Sequence, residues 1–381
     1  MTTSPVTDNY FENAGFCGLR DCLEKIRSNA AKIDDPQTAP VEEFEWLAAS
    51  GVMQVTLPGE ALDFEKPDTA SLLHLFKLVG QANLSVGRIY EGHVNALYLV
   101  HLYADEAQKK EWYRAVREDA AIFGVWNTQN QHGLTYLGVE GGLVLEGAKT
   151  FCSGVAIITH ALVTGNIDLP ERKGWQMMIL DMAKISDDRI DRNSWKTLGM
   201  RASGSFTTDF SGYKVQQREL LGMPGDYLRQ PHFNGGAIRF AAVQLGGAAA
   251  IAGNTLDYLA SLGRTDDPIQ KIRLAAILTQ IVTGELWLKQ AGRHFDEWVS
   301  LPGRSSELIA FANMTRTVIE EIGISVMNES NRCVGARGLM ASSPLERLHR
   351  DLTFYLRQPA PDATRIAVAD YFINNLNQTN D

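Results

Sequence analysis

The sequence predicts a chain of three parts: an all-helical N-terminal domain, a small central β-domain and a C-terminal bundle of four helices. Two observations carry this prediction. Apolar residues recur at helical spacing in the first and last parts of the chain, whereas the middle contains short β-branched and aromatic runs divided by glycines. The changes of pattern place the domains at residues 1–118, 119–222 and 223–381.

Composition indicates an ordinary globular protein. The 381 residues are 45% hydrophobic and 21% charged, which suits a large folded core. A formal net charge of −9 argues against a general affinity for nucleic acid or anionic lipid. The start of the chain has no export signal, and no continuous apolar run predicts a membrane span. We therefore expect a cytoplasmic protein that binds a small molecule or a second copy of itself.

Cysteine and histidine patterns predict no metal site. The four cysteines form no C-x-x-C pair and no cluster with histidine, so neither zinc nor a disulfide framework is expected. The general dinucleotide, P-loop and nucleophile-elbow motifs are missing from the sequence. The chemistry must therefore come from a less general pattern.

The helical parts show specific start, stop and packing signals. "VEEFEWLAASGV" predicts a helix that Gly51 ends in a left-handed conformation. Small residues at 246–250 predict the close approach of a neighbouring helix, and a third bundle helix is expected over about 306–329. The next helix is expected to begin at Ser343, with Pro344 in its first turn and Glu346 reaching back to the cap.

The central part predicts strands. "YLGVEGGLVLEG" indicates a hairpin turning near Gly141 and Gly142, and "HALVTGNI" and "WQMMILDM" indicate two further strands. In "SFTTDFSGYKV", Phe206, Thr208 and Phe210 alternate with polar neighbours, as in a half-buried strand. In "GAKTFCSG", the same alternation sends Cys152 into the sheet core.

Four segments, in this order and spacing, resemble the acyl-CoA dehydrogenase superfamily of flavoproteins. They are "VEEFEWLAASGVMQVTLPGE", "GAKTFCSG", "KTLGMRASGSFTTDFSGYKV" and "GARGLMASSPLERLHRDL". The resemblance covers nearly the whole chain and implies an acyl-CoA dehydrogenase-like fold, with FAD bound between the β-domain and the bundle. It also implies at least a homodimer, and usually a homotetramer.

The resemblance assigns cofactor-binding residues. Phe151 corresponds to the aromatic wall beside the flavin ring and Ser153 to the donor at flavin N5, where hydride arrives. Trp126 and Thr128, in "FGVWNTQNQHGL", align with the loop that holds the pyrimidine part. The resemblance assigns four further residues to the rest of the FAD: Arg264 to the pyrophosphate, Gln270 to the adenosine part, and Gly335 and Gly338 to the FAD of an adjacent subunit.

The catalytic base of the acyl-CoA dehydrogenases is missing from both of its known positions. The family oxidises an acyl thioester by removing the α-proton with a glutamate while hydride passes to the flavin. This sequence has Pro359, Ala360 and Pro361 where relatives carry Glu-Gly-Thr, and Ile238 at the alternative position just before Arg239. Glu91 and Asp362 are carboxylates that could replace the base.

A second branch of the superfamily therefore has to be considered. Its monooxygenases take reduced flavin from a partner reductase and form a C4a-hydroperoxide. They resemble this chain in having a histidine at the position of His93 and a hydroxyl at that of Ser153, but their second histidine, near Gln358, is absent here. An alternative interpretation of His93 is a core-facing histidine on a helix.

The leading expectation is a FAD-dependent oxidoreductase that transfers hydride from an acyl thioester, with electron-transfer flavoprotein as its partner. The alternatives are a reduced-flavin monooxygenase acting with a flavin reductase on an aromatic or heteroatom compound, and a flavin-binding homologue without catalysis. The substrate cavity is expected near Ser153, His93, Arg239 and Gln358. The charged side chains of the "ERLHRD" helix are expected to form ion pairs with one another and to stabilise the helical bundle.

Overall fold

A computed structural model describes residues 18–140 and 142–378 of the chain. Cys17 and the first glycine of the hairpin turn, Gly141, lie outside the described residues. Within the described residues, five α-helices belong to the N-terminal part: α1 Leu19–Asn29, α2 Val41–Ala49, α3 Thr69–Ala82, α4 Leu84–Tyr103 and α5 Glu106–Glu118. Gly51 follows α2 with a φ of 82°, which confirms the predicted left-handed stop.

The central part consists of strands, as predicted. They are β1 Phe123–Trp126, β2 Thr135–Val139, β3 Gly142–Glu146, β4 Ala148–Cys152, β5 His160–Leu169, β6 Arg172–Asp181, β7 Ile190–Asp191, β8 Phe206–Asp209, β9 Lys214–Val215 and β10 Leu220–Leu221. A seven-stranded sheet runs in the order β10-β6-β5-β2-β3-β9, with β1 added parallel to β5, and a smaller sheet runs β4-β8-β7. The predicted hairpin is β2–β3, with Val139 opposite Gly142.

Helices return after β10. They are α6 His232–Gly235, α7 Ala237–Ser261, α8 Pro268–Trp298, α9 Ser305–Gly338, α10 Pro344–Tyr355 and α11 Pro361–Gln378. Three details correct the prediction. The third long helix runs on to Gly338, α11 was not anticipated, and the Glu346 side chain accepts from Arg350 instead of reaching back to the cap. Ser343 does cap α10, because its side chain accepts from the N–H of Leu345.

The most apolar helix, α7, lies in the centre of the bundle. By length and composition alone the stretch His232–Ser261 could cross a membrane, but 89% of its apolar window is buried inside the protein, as in a core helix. The small residues of α7 allow the predicted close packing: a Cβ added at Gly246 would lie 2.2 Å from the carbonyl oxygen of Lys77 on α3. The helix pair α3–α7 thus depends on a residue without a side chain.

Two segments that carry the family resemblance, far apart in sequence, meet at the junction of β-domain and bundle. The N–H of Met200 donates to the buried Asp351 carboxylate at 2.6 Å, and Arg350 donates to the carbonyl oxygen of Leu198 at 3.1 Å. Gly199 lies so close to Arg350 that an added Cβ would be 2.2 Å from its carbonyl oxygen. Arg350 also pairs with Asp34 at 2.5 Å, which confirms the structural role expected for these ions.

Candidate functional site

An exposed aromatic ring stands at the end of β4. The pairing of β4 with β8 shifts register between Lys149 and Cys152, and Phe151 has a φ of 57° and is 42% exposed. This bulge turns the ring out of the sheet, where its edge meets Trp195 at a centroid distance of 5.6 Å. Cys152 points inward and is fully buried, as predicted, and burial raises the pKa of its thiol to about 12.

The hydroxyl of Ser153 is held by neighbouring serines. Ser205 donates to Ser153 Oγ at 2.9 Å, and the Ser203 and Ser205 hydroxyls are hydrogen-bonded at 2.8 Å. Trp126 Nε1 donates to the Ser153 carbonyl oxygen at 3.1 Å. The Ser203 hydroxyl also donates to the Met200 carbonyl oxygen at 2.8 Å, so the three serines form one hydrogen-bonded chain that fixes the position of Ser153 Oγ.

The structure changes the role assigned to Trp126. Its ring is 1% exposed and its N–H is used by Ser153, so the side chain positions the serine and cannot lie against a flavin. Thr128 is exposed, and its carbonyl oxygen accepts from the N–H of Thr150 at 3.1 Å. The loop that carries Thr128 therefore runs directly beside β4 and the Phe151 ring.

A buried lysine anchors this loop. Lys149 Nζ donates to the Asn127 carbonyl oxygen at 3.0 Å, to Gln129 Oε1 at 2.8 Å and to Thr164 Oγ1 at 3.2 Å, and lies 4.8 Å from the centre of the Trp175 ring. None of these partners is a carboxylate. Burial lowers the pKa of Lys149 to about 7. The position of the loop thus depends on an ammonium group that titrates near neutral pH.

His93 does not face the site in the way the resemblance implied. The ring is fully buried on α4, Nε2 lies 2.7 Å from the Met53 carbonyl oxygen, and Nδ1 accepts from the N–H of Phe123 at 3.0 Å. Both nitrogens are occupied by backbone groups, and burial lowers the pKa to about 4, so the ring is neutral at pH 7. His93 ties α4 to β1 and has no nitrogen left for a substrate.

A different face of α4 carries polar groups toward the bundle. Arg88, Glu91, Asn95 and Tyr98 follow one another at spacings of three and four residues, which places them on one stripe. Arg88 Nη1 and Glu91 Oε2 are 2.8 Å apart, and the Asn95 amide donates to the other Glu91 oxygen. Glu91 is 3% exposed. We call these four residues the α4 polar stripe.

Arg239 of α7 and Tyr355 of α10 face the α4 polar stripe. The guanidinium carbon of Arg239 lies 4.6 Å from the centre of the Tyr98 ring. Burial lowers the pKa of Arg239, which Tyr98 and Glu91 oppose, and burial with Glu91 raises the pKa of Tyr355. Three buried polar atoms here have no hydrogen-bond partner: Arg239 Nε, Asn95 Oδ1 and the Tyr355 hydroxyl. Such atoms are rare in folded interiors and fit a polar ligand.

Neither family position for the base carries a carboxylate. The carbonyl oxygen of Pro359 accepts from Arg316, and Ile238 is an apolar residue only 1% exposed. Gln358 is half-buried just after α10, and its N–H donates to the Tyr355 carbonyl oxygen at 3.2 Å. Glu91 is thus the buried carboxylate that the described residues bring beside Arg239.

The residues assigned to the distal part of the cofactor lie where α8 begins and α9 ends. Arg264 is exposed before α8, and Gln270 is buried with Oε1 unpartnered. Arg273 donates to the carbonyl oxygen of Arg332 at 2.7 Å, which brings these ends together. Gly335 interrupts α9 with a φ of 59°, one turn before Gly338. This group shares no hydrogen bond or ion pair with Phe151 or Ser153 within the described chain.

The family resemblance points to His93 on α4 and gives no signal for the α4 polar stripe. The sequence offers Glu91 only as a carboxylate that could replace the missing base, with nothing that directs it toward the site. The signal that could have found it is the spacing of Arg88, Glu91, Asn95 and Tyr98 within an otherwise apolar helix. His93 is two residues from Glu91, about 200° around the helix, and therefore faces the opposite way.

Comparison with known proteins agrees with this architecture. Residues 225–356 match the family model of the acyl-CoA dehydrogenase C-terminal domain. The dibenzothiophene monooxygenase of Rhodococcus erythropolis is 25% identical over 217 residues, 55% of this chain and 51% of that protein, and that of Mycolicibacterium goodii is 23% identical, covering 93% and 92%. A crystal structure of TdsC from Paenibacillus sp. A11-2, with FMN and indole, has a TM-score of 0.83 at 19% identity, covering 93% and 96%.

These findings define the fold of the protein. The fold is that of the acyl-CoA dehydrogenases, with helical N- and C-terminal parts around a central β-domain, and the predicted resemblance to this superfamily is confirmed. The match spans about half the length of the Rhodococcus relative. The relatives support the predicted flavin-dependent oxidoreductase class, and the reaction and substrate are proposed below.

Proposed function

We propose that this protein is a flavin-dependent monooxygenase that uses reduced flavin supplied by a separate reductase. The observation that carries the proposal is the absence of a carboxylate from both base positions of the dehydrogenases, where the structure has a bonded Pro359 carbonyl and a buried Ile238. The dibenzothiophene monooxygenases support it as relatives that match this chain, one of them over nearly its whole length.

The residues beside β4 fit a flavin ring. Phe151 offers an exposed aromatic wall, Ser153 a positioned hydroxyl, and the Thr128 loop backbone groups at the edge. When bound, reduced flavin supplies the electrons that activate oxygen. The resemblance implies FAD, whereas the FMN in TdsC favours the mononucleotide, and we propose FMN. In that case Arg264, Gln270, Gly335 and Gly338 have no adenosine part to bind.

We assign substrate binding to the side chains of the α4 polar stripe and Arg239. Unpartnered atoms on Asn95, Arg239 and Tyr355 would orient a polar group, while Tyr98 offers an aromatic face. Glu91 would take the proton lost from a substrate hydroxyl or ring N–H as oxygen is added. Its carboxylate is held ready by Arg88 and Asn95. We propose an aromatic or heteroatom compound as the substrate class.

A second candidate, acyl thioester dehydrogenation, is favoured by one observation. Glu91 is a buried carboxylate beside Arg239, so it could replace the missing glutamate as the base that removes an α-proton. In this alternative, electron-transfer flavoprotein replaces the reductase as the partner. The two functions differ in whether substrate reduces oxidised flavin.

Anaerobic mixing of the FMN- or FAD-loaded protein with a panel of acyl-CoA thioesters separates them. We expect the oxidised flavin spectrum to persist with every thioester, and oxygenated product to form from indole or a thiophene once a flavin reductase, NADH and air are added. Bleaching by any thioester would support the dehydrogenase and contradict our proposal. Flavin that binds but is neither bleached by a thioester nor able to support oxygenated product would instead support a flavin-binding homologue without catalysis.

Flavin binding is expected to depend on pH through Lys149. Below pH 7 the ammonium donates three hydrogen bonds around the loop, and above it the neutral amine retains two donors. Loss of one such bond is worth about 1 kcal/mol, so the Kd for FMN should rise roughly fivefold between pH 6 and 8.5. Lys149→Met should bind weakly with no such increase, and comparing the two proteins at each pH removes the titration of the flavin itself. A parallel pH dependence in the two proteins would refute this role.

The exposed face of α8 supports assembly with a second copy. Its large apolar residues are solvent-exposed in the single chain at Ile269, Ile272, Leu278, Val282 and Leu286. Patches of this kind mark interfaces between protein chains. We therefore propose that the protein forms a homodimer or homotetramer through α8.

A further inference from the structure

We propose that Arg239 binds an anionic group of the substrate, so that the preferred substrates are planar aromatic compounds that carry a carboxylate or a similar oxyanion. This inference rests on the proposed function, because it names the substrate class of the same site. Arg239 is a buried cation without an ion-pair partner of its own among the described residues.

Arg239 is enclosed by aromatic rings. The residue is 7% exposed, and its guanidinium carbon lies 4.6 Å from the centre of the Tyr98 ring and 5.8 Å from that of Phe295. In the part of the chain described here it forms no ion pair, and its Nε–H has no acceptor. Guanidinium groups recognise carboxylates through two parallel hydrogen bonds, so an unpaired one is suited to an oxyanion.

The carboxylate that acts on Arg239 already has an ion-pair partner. Glu91 favours the charged form of Arg239, but its carboxylate pairs with Arg88 at 2.8 Å. A longer-range neighbour of the Tyr98 ring, the Asp296 carboxylate, accepts from the N–H of Thr69 at 2.9 Å and from its hydroxyl. Among the described residues, Arg239 therefore has no carboxylate of its own within ion-pairing distance.

An anionic ligand would give Arg239 an ion-pair partner. A buried charge without a partner is costly, and an oxyanion that pairs with it recovers much of that cost on binding. The unpartnered Asn95 Oδ1 can accept a hydrogen bond from a ring N–H or hydroxyl of the same ligand, and the Tyr355 hydroxyl can donate or accept. Together with the Tyr98 and Phe295 rings, these groups match an aromatic acid better than a neutral hydrocarbon.

The test compares indole with indole-3-carboxylate, which differ by the anionic group alone. Binding is measured by calorimetry on the protein with FMN and without it, so that a failure to bind flavin is seen separately. We expect the carboxylate to bind at least tenfold more tightly than indole. Arg239→Gln should abolish this preference, Arg239→Lys should retain part of it, and Arg114→Gln, at an exposed arginine of α5, should leave it unchanged.

Each outcome decides the inference. Equal affinity for the two compounds in the wild-type protein would overturn it, even if both are oxygenated. A carboxylate preference that persists in Arg239→Gln would also overturn the assignment to Arg239. If Arg239→Gln does not fold, reduced preference in the lysine variant still tests the contact. A preference that depends on Arg239, seen in a protein that oxygenates neither compound, would support the inference while the proposed function fails.

Discussion

Replacing Glu91 by glutamine is expected to lower the rate of oxygenated product formation by about 10²-fold, the lower end of the range for a positioned acid–base group. Glutamine keeps the size of the side chain and an acceptor oxygen for Arg88, but it cannot take a proton from the substrate. Steady-state assays with reductase, FMN and substrate measure the effect. Flavin affinity should remain close to that of the wild-type protein, whereas the thermal midpoint should fall, because Arg88 loses its ion-pair partner.

Comparison of kcat with KM separates a catalytic role of Glu91 from a structural one. In Glu91→Gln the kcat should fall, while the KM for the substrate and the Kd for FMN stay close to the wild-type values. Glu321→Gln, at an exposed glutamate of α9, serves as the matched control and should behave as the wild-type protein. A Glu91→Gln protein with the full wild-type kcat would show that Glu91 handles no proton.

Replacing Gly246 by valine is expected to destabilise the protein on the order of 3 kcal/mol or to prevent folding. An added Cβ would lie 2.2 Å from the Lys77 carbonyl oxygen and 2.6 Å from the N–H nitrogen of Gln81. Both atoms belong to the backbone, so α3 and α7 would have to separate. Urea unfolding followed by circular dichroism measures the shift in midpoint.

The control for this substitution is Ala367→Val, which places the same side chain at an exposed position of α11. Its cost should be well below 1 kcal/mol, because the change affects helix propensity alone. Gly246→Ala should fall between the two variants. Equal midpoints for Gly246→Val and Ala367→Val would contradict the close packing of α3 against α7.

Local patterns were sufficient to predict most of the fold. The β2–β3 hairpin follows from its glycines, and the alternation of Phe206, Thr208 and Phe210 reappears as buried residues along β8 and beyond it. The last helix, α11, was missed because its residues are mostly exposed, including Ile366 and Ile373, so they form no clear buried stripe. Its contacts with α9 depend on the tertiary arrangement.

The site was predictable only in part. Phe151 and Ser153 could be found because one short segment carries both, and the bulge in β4 explains why the ring points outward. The sequence could not predict which face of α4 lies toward the site. Helical spacing shows which residues share a face, but not which neighbouring element that face contacts. The tertiary structure determines which residue faces the site: His93 packs against β1, whereas Glu91 faces Arg239 of α7.

The most direct measurement is the mass of the product formed under ¹⁸O₂ with reduced FMN and an aromatic substrate. A monooxygenase should add one labelled oxygen atom, a mass increase of two units over the product made in ordinary air. In Glu91→Gln the amount of labelled product should fall with the activity, while each product molecule still carries the label. Product that carries oxygen from water, or a thioester oxidised without oxygen incorporation, would contradict the proposed function.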